Sequence, residues 1–312
     1  MKSNMIFFVS GFFLAAIIIF FIGSSENQSK QDDETTFPQG YKIISPKVPA
    51  ELDFAGERVP LENFEVYERI DRELIVNTYY HSATILSIKK AKRWFPIIEP
   101  ILIKNGIPVD FKYLMVAESG ISNAISSAGA TGFWQFMEAA ALKYGLEVNN
   151  EVDERYHIEK STEAACKYLR EAYSLFGSWT VAAASYNMGI PGVTKQLGKQ
   201  KTNNYYNLVL SEETSRYLAR IIAIKEILNN PERYGFDIKE NELYTDLPFT
   251  EVQISGSIEN LADFAIEKGI NYKILKTYNP WLRDSALKNI SRKIYTVKIP
   301  EMGSIEVVKE RN

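Results

Sequence analysis

The side chain best suited to chemistry in this sequence is Glu118, an acid on the apolar face of a predicted helix. The apolar residues of that face follow helical spacing and are Ile107, Phe111, Leu114 and Met115. Burial on this face raises the pKa of a carboxyl group, because it disfavours the charged form. Gly120 is suited to follow a helix end, so Glu118 falls in the last turn, where the helix dipole also disfavours negative charge. Both effects favour the protonated state that a general acid requires, whereas a frayed helix end would leave the acid in solvent.

Three further segments carry side chains that suit a polar substrate. Gly129 and Gly132 allow a tight chain reversal, after which Trp134 and Gln135 offer an aromatic face and an amide. The other two segments lie at a predicted helix end and near a predicted helix start, and their side chains are Tyr186, Asn187 and Tyr217. Each segment alone fits an ordinary loop or helix end, so only the combination indicates a site.

Composition narrows the possible chemistry. The chain has 312 residues, of which 46% are hydrophobic and 24% charged, as in an ordinary globular protein. A net charge of −3 gives no indication of a nucleic acid partner, and only two histidines leave little material for a metal site or a triad. The single cysteine, Cys166, excludes an intrachain disulfide and is expected to be a small core residue. No metal or organic cofactor is indicated.

The N-terminal segment indicates the compartment. Residues 5–22 form an almost wholly apolar run that follows Lys2 and precedes acidic residues. This run is long for a signal-peptide core and just long enough to span a bilayer. The positive charge on its N-terminal side predicts a cytoplasmic N-terminus. Residues 1–25 are therefore expected to be an inner-membrane anchor or a cleaved export signal, and either one places the rest of the chain in the periplasm.

The remaining chain divides into a linker, a helical domain and a small C-terminal unit. Residues 26–60 are polar and rich in proline, which predicts a linker. Residues 61–240 show helical periodicity almost throughout, which predicts a mainly α domain. Residues 245–302 contain two alternating strand patterns around two short helical segments, which predicts a self-contained β-α-α-β unit.

Several helix faces and ends can be predicted within these domains. The first helix is expected to bury Phe64, Tyr67, Ile70 and Leu74. The second is expected to run from about Ser82 and to end before Pro96, because proline disfavours the helical conformation before it. The predicted N-caps of later helices are Ser161 or Thr162, Ser178, Ser211 and, in the C-terminal unit, Ser257.

In order and spacing, these segments resemble the lytic transglycosylase family with a goose-type lysozyme-like fold. The resemblance covers about residues 95–230 and includes Glu118-Ser119, Gly132-Phe133-Trp134-Gln135, Tyr186-Asn187 and Tyr217. It is strongest to the membrane-bound subfamily with C-terminal LysM modules. Residues 257–281 look like a degenerate LysM module, in which the usual opening is reduced to Gly256-Ser257-Ile258. That unit is expected to bind glycan weakly or in an altered way, or else to be a structural cap.

This resemblance implies a function in remodelling or turnover of the cell wall. The family cleaves the β-1,4 bond between N-acetylmuramic acid and N-acetylglucosamine in peptidoglycan glycan strands, without water, and forms a 1,6-anhydro ring on the muramoyl product. Glu118 matches its single catalytic acid. The residues that match those lining the groove or positioning the sugar are Ser119, Gln135, Tyr186, Asn187 and Tyr217. The resemblance names no protein partner.

The sequence departs from the family pattern after Gln135, where Met137-Glu138-Ala139 lacks the usual proline and threonine. Glu138 is either an additional acid near the site or a solvated helix start. Two rival functions stay open. A hydrolytic lysozyme would require a second carboxylate opposite Glu118, and no second acid stands out near the motifs. A non-catalytic wall-binding scaffold would be expected to have lost Glu118, Gln135 or the Tyr186-Asn187 pair.

Overall fold

A computed structural model describes residues 43–301 and 303 of the chain. The predictions for residues 1–25, and for most of the linker, lie outside these residues. Over the described part of the chain, no helix combines the length and apolar character needed to cross a membrane. The described residues from Ser45 onward form one compact unit.

A short antiparallel hairpin, β1 (Asp53–Phe54) and β2 (Glu57–Arg58), precedes the helices. Phe54 is fully buried against Phe111, with ring centroids 5.1 Å apart. The Glu57 carboxylate accepts hydrogen bonds from the backbone N–H groups of Trp179 and Thr180 at a helix start, at 2.5 and 3.0 Å. The prediction of a linker up to residue 60 is therefore wrong at its C-terminal end, because the hairpin packs into the domain.

Eight α-helices follow within the described residues of the helical domain. They are α1 (Phe64–Tyr79), α2 (His81–Lys104), α3 (Phe111–Ser119), α4 (Glu138–Lys143), α5 (Ile158–Phe176), α6 (Trp179–Met188), α7 (Ile190–Gln200) and α8 (Glu212–Asn229). Helix α8 is central, because it packs against α1, α3 and α6 and buries most of its apolar residues. The mainly α fold predicted from the sequence is confirmed.

Two predicted caps are confirmed. The Ser178 hydroxyl accepts a hydrogen bond from the backbone N–H of Val181, so α6 begins at Trp179 as expected. The Ser211 hydroxyl accepts one from the backbone N–H of Thr214 at the start of α8. Helix α5 instead begins at Ile158, which places the expected caps Ser161 and Thr162 inside its first turns. Both hydroxyls donate back to the Ile158 carbonyl oxygen, at 3.2 and 2.7 Å.

The predicted face of α1 is confirmed for Ile70 and Leu74 only, and the predicted end of α2 is wrong. In α1, Phe64 and Tyr67 are exposed, and the buried face is Val66, Ile70, Glu73 and Leu74. Helix α2 continues through Pro96 and Pro100 to Lys104. Both prolines are exposed and cannot donate a helical hydrogen bond, while Ile98 and Leu102 keep the helix packed in the core.

The C-terminal unit has the predicted β-α-α-β order. Its elements are β3 (Phe249–Ile254), α9 (Leu261–Glu267), α10 (Tyr272–Tyr278) and β4 (Tyr295–Pro300), and the two strands pair antiparallel. Asn260 caps α9 in place of the expected Ser257. The core of the unit is not self-contained, because Val152 and Tyr156 of the helical domain complete it. The Asp153 N–H also donates to the Trp281 carbonyl oxygen at 2.9 Å.

Candidate active site

Glu118 lies one residue before the end of α3, where Gly120 adopts the left-handed conformation at φ 58°. The apolar face predicted from the sequence is confirmed, because Ile107, Phe111, Leu114 and Met115 are all buried. The Glu118 side chain is half-buried and does not lie at a frayed end. Burial raises the pKa of its carboxyl group to about 7. A substantial fraction of Glu118 therefore keeps its proton at neutral pH.

Tyr217 of α8 holds the Glu118 carboxyl group. Its buried hydroxyl donates a hydrogen bond to Oε1 of Glu118, a contact that by itself lowers the pKa of Glu118. Burial and the neighbouring Glu118 raise the pKa of Tyr217 well above its ordinary value, so the phenol keeps its proton. The contact fixes one carboxyl oxygen and leaves the other for a substrate.

A second acid, Glu213, also acts on Glu118. Its charge raises the pKa of Glu118, although less than burial does. The Asn187 side-chain amide donates to Oε1 of Glu213 at 3.4 Å, and its Oδ1 accepts from the Thr214 hydroxyl at 2.8 Å. The expectation of no second acid near the motifs is therefore wrong. Glu213 stands one helical turn before Tyr217, and this spacing is the sequence signal that could have identified it.

The loop that carries Gln135 depends on an unusual backbone. Gly132 has φ +82°, and a Cβ atom there would lie 2.0 Å from the carbonyl oxygen of Arg155. Gln135 itself adopts φ 49°, a conformation that non-glycine residues rarely take and that is often found at functional sites. Its Nε2 donates to the carbonyl oxygens of Ala124 and Gly132, at 3.0 and 2.7 Å. The amide is thereby held in one orientation.

Trp134 does not present an aromatic face to a substrate, and that expectation is wrong. Its side chain is fully buried, and its Nε1 donates to the Thr162 hydroxyl at 2.8 Å. The Tyr186 hydroxyl donates to the Trp134 carbonyl oxygen at 2.8 Å. Trp134 therefore positions the neighbouring Gln135 and Tyr186 from inside the core. Thr162 lies far along the chain, which explains why the sequence pattern did not reveal this contact.

Ser119 shapes the turn that follows α3. Its hydroxyl donates to the Met115 carbonyl oxygen at 3.2 Å, and its own carbonyl oxygen accepts from the Ser122 hydroxyl at 2.6 Å. The Lys90 ammonium donates to the carbonyl oxygen of Gly120 at 3.0 Å. These bonds satisfy polar groups at the helix end and fix the backbone next to Glu118.

Metal and thiol chemistry find no support in the described residues. No cluster of three or more potential ligands suited to a metal ion occurs in residues 43–301. Cys166 is fully buried, and burial raises the pKa of its thiol to about 12, so it stays protonated. The prediction that Cys166 is a core residue is confirmed.

Comparison with known proteins agrees with this geometry. Residues 96–209 match the transglycosylase SLT domain, and residues 250–303 match the soluble lytic transglycosylase C-terminal LysM-like domain. The chain therefore carries an SLT transglycosylase domain and a C-terminal LysM-like domain of the type found in soluble lytic transglycosylases, as the sequence resemblance predicted. Among its relatives are the proteins named membrane-bound lytic murein transglycosylase D from Escherichia coli K12 and from E. coli O6:H1 strain CFT073. Each is 28% identical over 243 residues, or 75% of this chain. The chain spans about half the length of these curated relatives, 52%.

Proposed function

We propose that this protein is a peptidoglycan lytic transglycosylase. It cleaves the β-1,4 bond between N-acetylmuramic acid and N-acetylglucosamine and leaves 1,6-anhydro-muramoyl ends, for remodelling or turnover of the cell wall. The observation that carries the proposal is a half-buried Glu118 with a pKa of about 7, held by Tyr217 at the end of α3. The SLT domain match and the name of the relatives support it.

The reaction uses Glu118 twice. Protonated Glu118 first gives its proton to the glycosidic oxygen, the bond from that oxygen to the anomeric carbon breaks, and the N-acetylglucosamine hydroxyl leaves. The Glu118 carboxylate then takes the proton of the C6 hydroxyl while O6 attacks the anomeric carbon. The new ring closes, Glu118 regains its proton, and no water is consumed. Holding the C6 hydroxyl near the anomeric carbon makes this second step effectively unimolecular.

The positive charge that develops on the sugar between these steps needs stabilisation. Glu213, held by Asn187, supplies a negative charge on the Glu118 side of the site. Gln135 and Tyr186 lie on the neighbouring loop and helix, where their fixed positions suit contacts with the sugar. Ser119 and Trp134 act as positioning residues in this proposal.

Glu213 also supports a second candidate function. Most glycosidases use a pair of carboxylates, so Glu213 as a base for water would make this protein a hydrolase. The products separate the two functions, because transglycosylation leaves anhydro ends and hydrolysis leaves reducing ends. A wall-binding scaffold would release neither.

Mass spectrometry of muropeptides released from purified peptidoglycan tests these alternatives. We expect anhydro ends from the wild type and from Glu213→Gln, at a lower rate for the variant. We expect none from Glu118→Gln. Glu212→Gln is the matched control, because it removes a neighbouring but exposed carboxylate. Reducing ends that disappear in Glu213→Gln would establish the hydrolase instead.

We further propose that the described domains lie outside the cytoplasm, attached to the inner membrane through residues 1–25 or released after cleavage. The apolar run over residues 5–22 and the name of the relatives support this placement. Added protease should degrade the domains in spheroplasts whose outer membrane has been removed. Protection under those conditions would contradict it.

A further inference from the structure

A cavity lies between the helical domain and the C-terminal unit, and it has no part in the proposed reaction. It encloses about 100 Å³. Aromatic side chains from both domains form its walls, among them Trp94 and Phe133 on the helical side and Tyr278 and Trp281 on the C-terminal side. Aromatic walls of this kind pack well against the apolar faces of sugar rings and acyl groups.

One buried hydrogen-bond donor of this cavity has no partner among the described residues. The Tyr278 hydroxyl is buried and has no hydrogen bond within the described part of the chain. The Asn123 side chain, which is exposed, also lines the cavity. A buried polar group without a partner costs free energy, which a bound ligand would recover. The lining is thus incomplete without a ligand that accepts hydrogen bonds.

Arg93 determines the charge that this ligand should carry. Burial lowers the pKa of its guanidinium, while the nearby Tyr244, Tyr278 and Asp246 raise it, and the guanidinium stays charged without a salt bridge among the described residues. Its Nε donates to the Thr245 carbonyl oxygen at 2.6 Å, which leaves the other guanidinium nitrogens for a ligand. The other cation of the lining, Lys298, is already paired with Glu159. The free positive charge favours a carboxylate.

The cavity is connected to the catalytic loop. Asn123 of the cavity precedes Ala124, whose carbonyl oxygen accepts the hydrogen bond from Gln135. Phe133 of the cavity precedes the buried Trp134 of the same loop. Two peptide bonds therefore join residues that line the cavity to residues of the catalytic loop.

Contacts between the domains hold the cavity in shape. The Arg283 N–H donates to the Glu151 carbonyl oxygen at 2.7 Å, and Lys293 pairs with Glu147 at 2.9 Å. The ring of His157 lies against that of Trp281, with centroids 5.8 Å apart. The degenerate opening loop Gly256-Ser257-Ile258 does not contribute to the lining. A site here would not depend on that loop.

We propose that this interdomain cavity binds a carboxylate-bearing N-acetyl sugar of peptidoglycan, with the sugar against Trp94 and Trp281 and the carboxylate on Arg93 and Tyr278. The choice of peptidoglycan rests on the proposed function. The C-terminal unit then contributes half of a composite glycan site and acts together with the helical domain in binding.

The test uses the full chain and three saccharides. The disaccharide N-acetylglucosaminyl-N-acetylmuramic acid carries a free lactyl carboxylate, its tetrapeptide form carries stem carboxylates, and chitobiose carries none. We expect at least one carboxylated probe to shift the indole N–H signals of Trp94 and Trp281 in NMR spectra, and chitobiose to bind about tenfold more weakly. Whichever carboxylated probe binds identifies the source of the carboxylate. Equal shifts with chitobiose, or no shifts with any probe, would overturn the proposal.

Matched variants test whether the probes bind in the cavity. Arg93→Gln and Tyr278→Phe should each weaken probe binding about tenfold at these indoles. Arg292→Gln removes an exposed cation of the same unit, and Tyr272→Phe removes a hydroxyl of the same helix, and neither should change binding. Equal affinity of the cavity variants and their controls would overturn the site. Wild-type release of anhydro-muropeptides is measured separately, so a failed enzymatic proposal and a failed binding site are distinguishable.

Discussion

Arg216 of α8 holds the carboxylate of Glu73, a fully buried acid on α1, with 2.6 Å between Nη2 and Oε1. Arg220, one turn further along α8, approaches the other oxygen of Glu73 at 3.6 Å. Arg220 also lowers the pKa of Glu118. The buried acid thus helps to fix the helix that carries both Tyr217 and the arginine acting on the site.

The first prediction follows from this ion pair. Glu73→Gln leaves two arginines without their carboxylate, and we expect the free energy of unfolding to fall by about 2–3 kcal/mol. The control is Glu65→Gln, which breaks an exposed pair on the same helix and should cost less than about 0.5 kcal/mol. Urea denaturation of both variants measures the difference. Equal stabilities would show that the buried pair adds nothing.

The second prediction concerns Glu118 and the pH dependence of stability. Its folded-state pKa of about 7 lies above the ordinary 4.5, so the folded state holds the proton more tightly than the unfolded chain does. This contribution to stability is complete below about pH 4.5 and is lost as the pH rises through 7. Glu118→Gln has no such dependence, and relative to wild type it should gain about 3 kcal/mol between pH 4 and pH 8. Denaturation at both pH values tests this, and a constant difference would contradict it.

A third prediction tests the hydrogen bond from Tyr217. Tyr217→Phe removes a contact that lowers the pKa of Glu118, so the alkaline limb of the pH–rate profile should move to higher pH. The maximal rate should fall as well, because the acid is held less firmly. Tyr234→Phe, which loses a hydroxyl bonded to Glu226 away from the site, is the control. An unchanged alkaline limb in Tyr217→Phe would mean that the bond does not set the pKa.

The fourth prediction compares two glycines of one loop. Gly132→Ala places a Cβ atom 2.0 Å from the Arg155 carbonyl oxygen, so we expect a loss of at least about 2 kcal/mol and of most activity. Gly129→Ala has a similar backbone, φ +87°, but meets nothing within 4 Å, and should cost about 1 kcal/mol. Thermal melts and anhydro-muropeptide release would measure both effects. Comparable losses in the two variants would mean that backbone strain alone causes them, without a contribution from the clash with Arg155.

Features that depend on local spacing could be predicted from the sequence. The apolar face before Glu118, the caps Ser178 and Ser211 and the β-α-α-β order each depend on residues within a few turns of one another. Such signals act before any tertiary contact forms, so they are present in the local sequence.

Features that depend on distant partners could not be predicted in this way. Trp134 is buried where the Thr162 hydroxyl accepts a hydrogen bond from its indole N–H. Helix α1 buries the face that carries Glu73, because Arg216 of α8 lies opposite that face. The end of α2 differs from the prediction for a related reason. Packing of Ile98 and Leu102 in the core outweighs the hydrogen bonds lost at the exposed Pro96.

Val152 and Tyr156 of the helical domain are part of the core of the C-terminal unit. Loss of the C-terminal unit would uncover these side chains, and the unit moved onto another protein would lack part of its interior. The boundary between the domains is thus visible in the sequence, but the two domains share a core across it. Insertions, deletions and recombination at residues 240–250 are constrained to preserve both sides together, and the two domains are expected to be inherited as one piece.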